Sequence, residues 1–156
     1  MPLIEWDDNL SVGVQEIDAQ HTAMIEILNE LHDAMMGGQA HDQAKSLLHR
    51  LVSHTHEHFA AEETMMEATG YLRLEEHREQ HRELIRKIAI YVGRFERGET
   101  TLNLYLIDFL RDWLKIHILE ADKAYGLSIK ERGFGPASVR HHTPGSNLHF
   151  VRTANS

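Results

Sequence analysis

Residues 56–81 read HEHFAAEETMMEATGYLRLEEHREQH, with His58 and Glu62 four residues apart on one side of Gly70 and His77 and His81 four apart on the other. Both flanks carry helical periodicity: Ala44, Leu47, Leu48, Leu51, Thr55, Phe59 and Met65-Met66 lead to Gly70, and Leu74, Leu84, Ile85, Ile88, Val92 and Phe95 follow it. Side chains four apart on a helix are separated by about 40° around the axis, so each polar pair projects from a single face. That face is the apolar one. His58 and Glu62 run into Met65, while His77 and His81 run into Leu84 and Ile88. A buried imidazole or carboxylate without a partner costs several kcal/mol, so a chain that places four of them in its core must satisfy them together.

Outward from this hairpin the pattern repeats. Met24, Ile25, Leu28, Leu31 and Met35 lie at spacings of three and four after Asp18, a candidate N-cap, and Gly37-Gly38 ends the run. Leu102, Leu106, Phe109, Leu110 and Trp113 follow Thr100-Thr101, a second candidate cap, toward Gly126. Helices are expected over about 18–37, 41–69, 73–97 and 101–126, with no strand. Their short connections make successive helices antiparallel neighbours, which gives an all-α, up-down-up-down four-helix bundle over residues 1–127. An N-terminal arm, residues 1–17, precedes it, with Trp6 as either a cap on the open end or a hydrophobic anchor. Residues 128–156 mix glycine, proline, serine and histidine without periodicity and read as a flexible C-terminal extension.

Composition narrows the function. No cysteine excludes disulfides and thiolate metal sites, so any metal must be held by nitrogen and oxygen. A formal charge of -8 argues against nucleic acid as partner. No apolar run approaches the roughly 20 residues of a membrane span, and the N-terminus lacks signal-peptide character, so a cytoplasmic protein is expected. Short loops and charged outer faces favour a monomer. The 13 histidines are the unusual feature.

Level along the bundle sorts them. Glu62 and His77 stand eight before and seven after Gly70; His58 and His81 stand twelve before and eleven after, about 6 Å deeper at 1.5 Å per residue. His21 lies near the first helix start, and His117 and Asp122 lie nine and four before Gly126, all at the same end. One spacing is irregular. His117 and Asp122 are five apart, about 140° on a regular helix, so both face inward only if a π-type turn widens the helix near 117–122. Five imidazoles and two carboxylates are too rich in nitrogen for calcium or magnesium and too many for one tetrahedral zinc. Two octahedral ions suit them. Bridging by both carboxylates and by one oxide or hydroxide fills eleven of twelve positions and leaves one open, room for a small diatomic ligand.

The segments VGVQEIDAQH (12–21), HFAAEE (58–63), HREQH (77–81) and HILEAD (117–122) resemble the metal motifs of the hemerythrin family, in its single-domain bacterial form. The resemblance spans roughly residues 1–127. It implies a non-heme di-iron centre that binds dioxygen reversibly, for carriage, storage or delivery, with an oxygen-consuming enzyme as a conceivable recipient. His77, His81 and His117 would hold one iron and His21 and His58 the other, with Glu62 and Asp122 bridging and oxygen at the open position of the two-histidine iron. Met24, Phe59, Trp113 and Ile118 match the family's apolar oxygen pocket, whose dryness withholds the protons that drive oxidation.

The expected protein is therefore an oxygen binder rather than an enzyme. The alternatives are a di-iron oxidase or peroxidase-like enzyme, which usually presents more carboxylates and Glu-x-x-His pairs, and a sensor of oxygen, redox state or nitric oxide. Of the other histidines, His32, His41 and His49 read as surface or helix-end residues, and His141, His142 and His149 belong to the extension. His54 and His56 read either as supports for the site or as partly exposed structural residues. Glu63 and Glu67 read as solvated charges, with Glu63 a candidate support for a ligand.

Overall fold

A computed structural model describes residues 2–38 and 41–131; the expected extension lies outside the described residues beyond Glu131, His141, His142 and His149 included. The arm carries a short 3-10 turn, Asp8–Leu10, and leads into α1 (Gln15–Met36), α2 (His41–Ala68), α3 (Leu74–Glu96) and α4 (Leu104–His117). A π-helical turn (Ile118–Asp122) then joins α4 to α5 (Lys123–Glu131). These last three form one continuous fourth rod. No strand occurs among the described residues.

Cross-helix pairs give the directions. Arg50 reaches Glu30 and His58 reaches Gln20, so α1 and α2 are antiparallel; His49 pairs with Glu96 and Glu62 with His77, so α2 and α3 are too. α1 packs on α2 and on α4, and α2 packs on α3. The apolar stripes meet in one core that includes Leu28, Leu31, Leu48, Met66, Ile107 and Tyr125. The two helices of the opening segment are separated where expected. Gly70 takes φ 67° and closes α2 with hydrogen bonds from its own N–H to Glu67 O and from Tyr71 N–H to Met66 O, the paired closure that favours glycine.

Three boundaries differ from expectation. α1 begins at Gln15, so Asp18 is not its cap but a residue of the first turn. Its carboxylate faces back and accepts from Ser11 Oγ (2.6 Å) and Val12 N–H (2.9 Å), which ties the arm to the helix. The fourth rod starts at Leu104, capped by the Asn103 side chain, which accepts from Leu106 N–H; Thr100 and Thr101 lie outside it. Gly126 does not stop the rod, which continues to Glu131. Its role is close packing, since a Cβ there would stand 1.8 Å from Val12 O.

The arm is an integral layer. Ile4, Leu10, Val12 and Val14 are buried, and Trp6 packs against the same core. Ile4 exchanges two hydrogen bonds with the Asn29 side chain, and Lys123 Nζ donates to Asn9 O. Gly126→Ala is accordingly expected to push the arm away and to cost about 1–3 kcal/mol in a denaturant titration. Unchanged stability would show that the contact with Val12 yields without cost.

Candidate metal centre

Local helix geometry aims the candidate ligands. The four-residue spacings put His58 and Glu62 on the inner face of α2 and His77 and His81 on that of α3, while α1 contributes His21. The fourth rod supplies His117 and Asp122 across the π-helical turn, which brings residues five apart to the same side. All seven are buried, none more than 5% exposed.

The two carboxylates divide the histidines. Glu62 Oε1 lies 2.6 Å from His77 Nε2 and 3.3 Å from His81 Nε2; its Oε2 lies 3.3 Å from His58 Nε2 and 3.9 Å from His21 Nε2. Asp122 repeats the division, with Oδ1 3.0 Å from His77 and 3.2 Å from His117, and Oδ2 2.9 Å from His21. Two donor clusters result, Glu62–His77–His81–His117–Asp122 and His21–His58–Glu62–Asp122. They share both carboxylates.

The cluster is poorly satisfied by its own members. Both ring nitrogens of His21, Oε2 of Glu62 and both oxygens of Asp122 lack a hydrogen bond of good geometry despite their close neighbours. Such buried atoms are rare in folded proteins. His81 gives its Nδ1 proton to Glu63 Oε2 (2.8 Å), because a carboxylate can only accept, and so turns an Nε2 lone pair toward His117 Nε2 3.1 Å away. Adjacent ligands of an octahedral ion with bonds of about 2.1 Å stand about 3 Å apart, which is the spacing of these atoms. The donor set therefore fits metal.

Charge in the metal-free protein follows the same contacts. Burial pushes the His77 imidazole down, but the Asp122 and Glu62 carboxylates in contact with it outweigh that and hold it up at about 9. Burial and the Asp122 charge push Glu62 up, yet the surrounding imidazoles of His58, His77 and His81 hold its carboxyl down at about 2. Burial likewise opposes ionisation of Asp122, and His117, His21 and His77 keep it well below the usual range. His81 is lowered by burial.

These directions set a stability window. His77 stabilises the metal-free fold fully below its ordinary 6.5, and that contribution is lost as pH rises through about 9. Glu62 contributes above its ordinary 4.5 and loses that contribution as pH falls through about 2. Resistance of the metal-free protein to urea should thus decline from pH 6.5 to 9, whereas a flat profile would contradict the His77 ion pairs. Metal uptake should tighten over the same interval, because a ligating imidazole must first release its proton.

The apolar candidates lie around the cluster. Phe59 stacks on His81 with ring centroids 3.7 Å apart, and Trp113 stacks on His117 at 4.5 Å. The two aromatic rings also meet, at 5.9 Å. Met24 and Ile118 are buried in the surrounding core. Trp113 is half-buried and borders a cleft of ≈ 490 Å³, lined also by Gln80, Lys87, Ile116 and Glu120. His54 approaches Gln20 O at 3.4 Å, His56 is exposed, and neither belongs to a donor cluster.

Sequence reasoning missed Gln20. Its Oε1 accepts the Nδ1 proton of His58 at 2.6 Å, a contact between helices that no spacing within one helix announces. The cleft beside Trp113 was equally hidden.

An antiparallel four-helix bundle with a buried histidine–carboxylate cluster defines a class, the helical-bundle metal-binding proteins. Residues 12–126 match the hemerythrin HHE cation binding domain. Over 125 residues the chain is 38% identical to a bacteriohemerythrin of Pseudomonas aeruginosa, covering 80% of each chain. It is 33% identical over 127 residues to one from Methylococcus capsulatus, covering 81% of this chain and 96% of that one. A solved wild-type hemerythrin superposes with a TM-score of 0.77 at 32% identity, over 80% of this chain and 95% of that one. This chain belongs to the hemerythrin family.

Proposed function

We propose that the chain binds dioxygen reversibly at a non-heme di-iron centre. His77, His81 and His117 would hold one iron, His21 and His58 the other, and Glu62 and Asp122, which belong to both donor clusters, would serve each. The observation that carries this reading is the division of the carboxylate oxygens: Glu62 Oε1 and Asp122 Oδ1 together lie against His77, His81 and His117, and Glu62 Oε2 and Asp122 Oδ2 together against His21 and His58. When bound, the irons would supply the two electrons that dioxygen takes up.

The chain's own residues shape what happens there. Gln20 and Glu63 fix which nitrogen of His58 and His81 faces the centre. Phe59 and Trp113 cover His81 and His117, and Met24 and Ile118 extend the apolar lining, which limits access of water. Histidines outnumber carboxylates five to two in the clusters. That balance favours reversible binding over the carboxylate-rich sites that activate oxygen.

The test is metal content per chain together with the visible spectrum of reduced protein under argon, then oxygen, then argon. About two irons per chain, as a dinuclear bundle requires, with a band that appears with oxygen and disappears without it, is the expected result. A ferric spectrum that does not reverse would favour an oxidase or redox sensor, and absence of iron would remove the assignment.

A further inference from the structure

The two histidines fixed from behind are fixed by different chemistry. His58 donates to a neutral amide, Gln20, whereas His81 donates to an anion, Glu63. The anion is itself held. Arg78 Nε reaches the other oxygen of Glu63 at 3.3 Å, and the same guanidinium grips Glu67 and Glu75 on the surface. His81 is 2% exposed, while the side chains of Glu63 and Arg78 are each 25% exposed. A continuous line of charged contacts therefore runs from the donor cluster through Glu63 and Arg78 to solvent.

We propose that Glu63 is a positioning residue that sets the reduction potential at the three-histidine position, and that Arg78 opposes it. This rests on the dinuclear reading above. A carboxylate accepting the Nδ1 proton gives the imidazole anionic character and strengthens Nε2 as a donor, which favours the more oxidised ion. The Arg78 cation withdraws part of that charge. Removing the two groups thus moves the potential in opposite directions. Gln20, without charge, provides no such effect at His58, so the two metal positions are unequal through their supports as well as through their ligand number.

The informative pair is Glu63→Gln, which keeps an acceptor for His81 but removes the charge, and Arg78→Met, which keeps much of the side-chain volume. Cobalt(II) uptake by the metal-free chain and the midpoint potential of the iron-loaded chain are measured for wild type and both variants. Glu63→Gln should weaken cobalt binding on the order of tenfold. It should also raise the potential, a tenfold change in preference between one-electron states being about 59 mV. Arg78→Met should lower the potential. Shifts of the same sign, or no shift in a chain that loads two ions, would overturn the role of Glu63. A wild-type chain that takes up neither iron nor cobalt would instead remove the dinuclear reading on which the inference stands.

Discussion

His77→Ala is expected to hold fewer than half the irons of the wild-type chain and to weaken the metal-free fold. His77 is the one imidazole within 3.0 Å of both carboxylates, at 2.6 Å from Glu62 and 3.0 Å from Asp122. Its loss strips a donor from the larger cluster and leaves two buried anions without the cation that best compensates them. Breaking a buried pair from one side costs about 3–5 kcal/mol, and the cavity adds to that loss. Iron analysis and urea denaturation of the metal-free variant check the two parts separately. Wild-type iron content would remove His77 from the site, and wild-type urea resistance would show that Glu62 and Asp122 are satisfied by other groups.

Trp113→Ala should have the opposite profile, retaining metal while losing control of oxidation. The indole does not belong to either donor cluster; it covers one face of the His117 ring and, together with His117 itself, lines the cleft on that side. Truncation widens the path for water to the buried donor cluster. Water supplies the protons that a dry site withholds, and a barrier lowered by about 1.4 kcal/mol speeds autoxidation tenfold. Trp113→Phe, which preserves an aromatic cover, should fall between. Decay of the oxygenated spectrum measures all three. Equal decay rates in wild type and Trp113→Ala, at equal iron content, would exclude the indole as a barrier.

Much of this arrangement is legible before any coordinates, for a simple physical reason. Within one helix the angle between residues is fixed, so the faces of His58 with Glu62 and His77 with His81 follow from counting, and short connections fix the levels at which helices meet. The π-helical turn was legible by contradiction, since no regular helix turns both His117 and Asp122 inward. The errors occur where one residue type serves two purposes. Gly126 looks like a helix stop because glycine often ends helices, yet here it admits Val12 O. Asp18 looks like a cap because aspartate often caps, yet here it holds the arm. Gln20 and the Arg78 contacts depend on which helix lies alongside, and that information is absent from any single periodic run.

The widened turn also resets the count of the fourth rod. Leu110, Leu114 and His117 follow a heptad seam of alternating fours and threes, and Asp122, Tyr125 and Ile129 continue it only when one residue between 117 and 122 is left out of the count. All six are buried. The turn thus absorbs a supernumerary residue, so a variant lacking one residue there, such as Leu119, is the shortest route to an uninterrupted α-helix that keeps Tyr125 and Ile129 in phase with Leu110. What such a helix would forfeit is the local widening from which Asp122 is now presented.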